Sequence, residues 1–234
     1  MFFPFANDPT FLLLIPAMAF AFWAQWKVQS TFAQFSRVRA ANGLTGRDMA
    51  RQIMMRNGVS GVEVEAVNGT LSDHYDPRTR TVRLSSSNYA GDSISSIAVA
   101  AHEVGHVLQH QQGYLPLQLR SGMAPAVGFA SVAAFPLFLI GLFVGARMPF
   151  GGLLMDLGIV FFSGAVLFHL ITLPVEFDAS KRALAQLTST GAVMPQEVAG
   201  AKKVLDAAAL TYVAAAAMAA IQLLRLVILR DSRR

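Results

Sequence analysis

The sequence predicts a mainly α-helical integral membrane protein. Three to four transmembrane helices are expected, with a polar α+β part on the cytoplasmic side that contains a small antiparallel sheet. Three observations carry this. The 234 residues are 54% hydrophobic and only 14% charged, with mean hydropathy +0.46, whereas an ordinary soluble domain is about 25% charged. The apolar residues gather into uncharged runs of spanning length. Between the first two runs lies a stretch too polar to span, residues 30–118.

Pro9–Trp26 is the first run. It approaches the ~20 residues a spanning helix needs and ends in Trp23 and Trp26, which suit a membrane interface. A cleaved signal peptide would carry a basic leading segment, but Asp8 is the only charge ahead of the run and no clear small-residue cleavage site follows. The run therefore reads as a retained anchor. Met123–Ala146 is the second run, with Pro125 and Pro136 inside it; a turn from Arg147 to Gly152 leads to the third, Leu157–Val175, which contains His169. Ala207–Leu229, rich in alanine and interrupted by Arg225, is a fourth candidate or else the continuation of an amphipathic helix from Glu197–Lys203. The chain divides accordingly into an anchor (1–29), a polar cytoplasmic part (30–122), a transmembrane hairpin (123–175) and a returning segment with the last helix (176–234).

Orientation follows from the distribution of Lys and Arg. Residues 27–56 hold Lys27, Arg37, Arg39, Arg47, Arg51 and Arg56 against Asp48 alone, while no Lys or Arg precedes the first run and Arg147 is the only one between the second and third. Residues 27–122 are thus expected in the cytoplasm and the N-terminus outside. Residues 176–206 fall on the cytoplasmic side; the basic tail from Arg230 to Arg234 disagrees if the last helix crosses. The net charge of +5 is read as an orientation signal beside spanning helices rather than as a nucleic-acid footprint.

Within the polar part, Thr45–Asn57 has a helix pattern: Thr45 as cap, Asp48 three positions on, Gly58 as terminator. Val62–Val67 and Thr79–Ser85 alternate with period two, as half-buried strands do, with a turn at Asp76-Pro77-Arg78 between them. They are expected to pair into the small sheet. Asp92 and Ser93 are candidate caps for a helix that runs without Pro or Gly into His102-Glu103-Val104-Gly105-His106.

That HExxH sequence carries the chemistry. Residues four apart lie on one helical face, so His102 and His106 can address one metal ion, with Glu103 beside them as a base toward metal-activated water. With five His and five Glu in the chain, a chance match is expected roughly 0.002 times. Gly105 costs its helix about 1 kcal/mol relative to Ala, and a small residue there suits the close approach of another element. There is no cysteine, so thiolate ligands and disulfides are excluded, and one Zn²⁺ per chain would be held by His and carboxylate.

A catalytic zinc takes three protein ligands. His110 extends the stripe, but eight helical residues separate it from His102, about 12 Å along the axis. The metzincin spacing would need Gly at 109 and His at 112, where this chain has Gln109 and Gln112. Glu176 and Asp178 follow the third run, with Glu176 the preferred ligand and Asp178 the alternative. His169 lies two turns back from Glu176 and is assigned to packing, or to orienting Glu176.

HEVGHVLQH, LPVEFDAS and AKKVLDAAALTYVAAA, together with Asp73-His74-Tyr75-Asp76-Pro77-Arg78, resemble the YugP-type neutral zinc metallopeptidases of bacterial membranes. The likeness runs from about residue 30 to 225. More distantly the chain is similar to the HtpX and CAAX prenyl endopeptidase group, whose HExxH and later Glu bind one zinc. That group's later motif reads E-x-x-x-D, whereas Ser180 stands here in place of the Asp. The resemblance implies a zincin-like catalytic part and peptide-bond hydrolysis. It implies Glu176 as third ligand and leaves Asp178 an indirect, supporting role.

The expected protein is a multi-pass zinc endopeptidase of the bacterial plasma membrane. Its active site faces the cytoplasm and acts on peptides or membrane proteins, with Glu103 as general base. The strand around Val82, if at a sheet edge, would hold an extended peptide. His74 or Tyr75 would stabilise an oxyanion or be a plain turn residue. Two rivals are a metal transporter, which would need the motif inside a hydrophobic span, and an idle scaffold with structural zinc, which would not need Glu103.

Overall fold

A computed structural model describes residues 9–69, 72–145, 150–189 and 193–232. Of the expected turn from Arg147 to Gly152, the first three residues lie outside the described residues, as do the last two arginines of the tail, and the other three are not turn but the start of a helix, Phe150–Ser189. A 3₁₀ turn, Pro9–Leu13, leads into α1 (Leu14–Phe35). There follow α2 (Gly46–Arg56), β1 (Glu63–Val67), β2 (His74–Asp76), β3 (Thr81–Ser85), α3 (Ser86–Ala90) and α4 (Ile94–Gln111). Three long helices complete the chain: α5 (Leu115–Val144), α6 (Phe150–Ser189) and α7 (Pro195–Asp231). The elements gather into two compact units.

The first unit takes in the described residues among 1–23, 119–173 and 212–234. It draws on four helices long and apolar enough to cross a membrane, Pro9–Phe35, Leu115–Val144, Phe150–Ser189 and Pro195–Asp231. All four expected runs are therefore helical, including the alanine-rich last one. Phe22, Phe129, Val132 and Val160 stand outward, each more than 60% exposed, as side chains facing lipid do. Lipid supplies no hydrophobic drive between helices, so close backbone approach matters instead. Gly158 supplies one: a Cβ there would lie 2.7 Å from the Ala134 carbonyl oxygen. Phe138, Leu142, Met155 and Leu226 form a small buried cluster. Arg230 donates to both carboxylate oxygens of Asp156 at 2.8 and 2.9 Å.

The second unit comprises the described residues among 24–118 and 174–211. Its core joins Met49, Ile53 and Met54 of α2 and Val82 and Leu84 of β3 to Ile97, Val104 and Leu108 of α4 and Ala183 and Leu187 of α6. The caps read from sequence form as expected. The Thr45 hydroxyl accepts from the Asp48 N–H at 3.2 Å and donates to its carboxylate at 2.6 Å. Gly58 takes the left-handed conformation, φ +65°, that ends α2. Ser93, of the two candidates, caps α4, accepting from the Ser96 N–H at 3.1 Å.

The sheet differs from expectation. Its order is β1-β3-β2, with β1 parallel to β3 and β2 antiparallel to it, so it is mixed rather than antiparallel. Two alternating stretches suggested one hairpin. The chain instead passes over the β3 position, lays down the three-residue β2, and turns back to place β3 between the two. Three residues are too few to show a period of two, which is why β2 was invisible in the sequence. Val82 consequently sits in the central strand, fully buried, and the expectation that this strand is an edge available to a peptide is wrong.

Candidate metal centre

The site is built on α4. This helix buries 14 residues, from Ile94 through Gln109, among them the polar Ser95, Ser96, Glu103, His106 and Gln109, so these groups must find their partners inside the fold. One turn separates His102 from His106, and their rings lie 4.8 Å apart at 84°. Against them stands Glu176, only 2% exposed. Its Oε2 is 3.2 Å from His102 Nε2 and 3.7 Å from His106 Nε2. One ligand atom from each of the three residues lies within 4.8 Å of the others.

Close backbone approach makes this meeting possible. A Cβ at Gly105 would lie 2.5 Å from the Ala179 carbonyl oxygen, so the glycine lets α6 rest on α4 one helical turn beyond Glu176. The outer ring nitrogens are both engaged. His102 Nδ1 meets Ser180 Oγ at 3.1 Å, and His106 Nδ1 meets Gln109 Oε1 at 2.9 Å. Two inward imidazole nitrogens and one carboxylate oxygen, with no sulfur, make a donor set that suits zinc and leaves room in a four-coordinate shell for one further ligand. The residues fit the metal.

A family model described as "Putative neutral zinc metallopeptidase" matches residues 10–231. The chain belongs to this family. "Putative membrane protease YugP" of Bacillus subtilis (strain 168) is 52% identical over 217 residues, covering 93% of this chain and 94% of its own. No solved structure matches. Membership of a zinc peptidase family makes zinc the metal implied for the cluster.

Glu103 of this family member is buried next to the histidines. Burial pushes its carboxyl above the ordinary range, while the charges of His102 and His106 pull it down. For His106, burial opposes the charged form, but its hydrogen bond to Glu176 and the charge of Glu103 outweigh that and raise it. These opposed effects make the pocket one in which charge is stabilised by partners rather than by water.

The other predicted residues fall elsewhere. Asp178 does not join the cluster: its carboxylate accepts from Gln109 Nε2 at 2.9 Å and from Arg182. His110 bonds the Tyr75 hydroxyl through Nδ1 at 2.8 Å and is not one of the three convergent residues. His74 is exposed, its Nδ1 2.9 Å from the Ser72 carbonyl oxygen. His169 lies in the other unit, packed edge-on against Phe168. Gln109 and Ser180 were missed as site residues. Their spacing was a usable signal, because Gln109 is one turn beyond His106 and Ser180 one turn beyond Glu176.

Proposed function

We propose that the protein is a membrane-bound zinc endopeptidase in which His102, His106 and Glu176 hold one zinc ion and Glu103 is the general base. The observation that carries this is the convergence of Glu176 Oε2 on the Nε2 atoms of both histidines, with a buried carboxylate, Glu103, beside them. When bound, zinc supplies Lewis acidity, polarising the scissile carbonyl and bringing the acidity of water near neutrality. Glu103 takes the proton of the attacking water on its carboxylate and hands it to the leaving amine nitrogen as the peptide bond breaks. Ser180 and Gln109 steady the rings from outside the ligand set.

In this reading residues 1–29 anchor the chain and 123–175 form a transmembrane hairpin. The segment from 176 onward brings the third ligand back to the 30–122 part. The six basic residues at 27–56 support a cytoplasmic placement of that part in a bacterial cell, with peptides or membrane proteins as the proposed substrates.

Glu103→Gln tests the mechanism. Zinc content should stay near one per chain, because the ligands remain, while peptide release from membranes carrying the variant falls to background. Turnover close to wild type in that variant would refute the role given to Glu103.

A further inference from the structure

We propose that Gln109 is a positioning residue which dictates the ring nitrogen that His106 offers to the metal, and that it takes this setting from α6. The inference rests on the zinc-centre reading of the His102, His106 and Glu176 cluster. Gln109 is fully buried, so its amide has no water to fall back on, and a carboxamide is two-faced: the oxygen only accepts and the nitrogen only donates. Its surroundings admit one orientation. Nε2 lies 2.8 Å from the Val175 carbonyl oxygen and 2.9 Å from Asp178 Oδ2. Both are acceptors. Turning the amide over would set its oxygen against two oxygens, at the cost of an unsatisfied buried group.

The amide oxygen is thereby aimed at His106 Nδ1, 2.9 Å away. An acceptor at that place requires Nδ1 to carry the hydrogen. In a neutral imidazole this leaves the lone pair on Nε2, the nitrogen that faces Glu176. Hydrogen bonds to the far nitrogen are the general means of fixing a metal-binding histidine in tautomer and ring angle. Here the partner is not a carboxylate but an amide whose own direction is imposed by two acceptors on α6. His102 is held differently. Its partner, the Ser180 hydroxyl, both donates and accepts and so selects no tautomer.

Asp178 acquires a definite part in this arrangement. It acts on His106 through Gln109, while Arg182 grips the same carboxylate oxygen and also donates to Gln112 Oε1. Loss of Asp178 should leave Gln109 with Val175 alone, and loss of Gln109 should make Asp178 irrelevant to the metal.

The test uses the full chain purified in detergent, stripped of metal and reloaded. Zinc affinity is measured by competition with a chromophoric chelator, and geometry by the visible absorption of the Co²⁺-loaded protein. Gln109→Met, which keeps length and volume, should weaken zinc about 10–100-fold and shift the Co²⁺ bands. Asp178→Ala should weaken zinc less, and should add nothing on the Gln109→Met background. Affinity within twofold of wild type with unchanged bands in Gln109→Met would overturn the proposal, as would an equal cost of Asp178→Ala in both backgrounds. If Gln109→Met does not fold, Asp178→Ala alone must shift the Co²⁺ bands, and unchanged bands overturn the proposal. Wild-type protein that takes up no zinc would remove the zinc-centre reading and this inference with it; wild-type uptake with indifferent variants removes only the inference.

Discussion

Gly105→Ala adds one methyl group at the point where α4 and α6 touch. The new Cβ would sit 2.5 Å from the Ala179 carbonyl oxygen and 3.1 Å from its Cα, where ordinary contact begins at 3.4 Å. The obstacle is backbone, so no rotamer relieves it, and α6 must retreat by about 0.9 Å. Two energies compete. Alanine improves helix propensity by about 1 kcal/mol, and overpacking costs about 1–3 kcal/mol, so the net stability change is small or moderately unfavourable. The site feels the displacement more. Glu176 lies one turn before Ala179 on the same face, and its Oε2 reaches the two histidines across only 3.2 and 3.7 Å. A misplacement near 1 Å costs on the order of 10²-fold in a positioned reaction. Gly105→Ala should therefore lose most zinc affinity and peptidase activity while melting within a few degrees of wild type. Gly122→Ala, inside α5 with nothing within 4 Å of its Cβ, is the control: it gains the helix propensity of about 1 kcal/mol without the clash and should keep wild-type zinc affinity and activity. Wild-type zinc affinity in Gly105→Ala would refute the argument that this contact sets the third ligand's position.

Glu176→Ala should sharply reduce zinc content and abolish activity, with Asp178→Ala milder; zinc retained in the first and lost in the second would move the ligand assignment to Asp178. A cysteine replacing Ser87, which is exposed after β3, should resist a membrane-impermeant maleimide in intact cells and react after permeabilisation, and labelling in intact cells would reverse the orientation. The Asp76 carboxyl is held down to about 2 from 3.8, first by the backbone N–H of Arg78 and further by hydrogen bonds from Thr79 and Arg83. Its contribution to the β2–β3 turn should be complete above roughly pH 4 and fade as pH falls through the folded value. Amide protection in that turn, taken relative to intrinsic exchange at each pH, should fall between those pH values in wild type but not in Asp76→Asn, and the same acid dependence in both would refute it.

The sequence by itself determined the features that depend on local period and on solvent. Spanning segments must satisfy every backbone polar group within one helix, so length and hydropathy were enough to find all four long helices. The pairing of His102 with His106 on one face follows from 3.6 residues per turn, and the caps Thr45 and Ser93 from their own side chains. Tertiary structure decided what depends on contacts between distant residues. Glu176 and Asp178 are two residues apart on α6 and so point about 200° apart; sequence could name both, but the rotation of α6 against α4 chooses the one that meets the histidines. That rotation is set where Gly105 meets Ala179, 74 positions along the chain. Whether β3 is an edge or a centre was likewise open, since strand pairing is fixed by the path of the chain and not by the alternation of its side chains. Gln109 reads as one more polar residue on a helix until Val175 and Asp178 close on its nitrogen, because a buried amide takes its direction from neighbours that only the packed fold supplies.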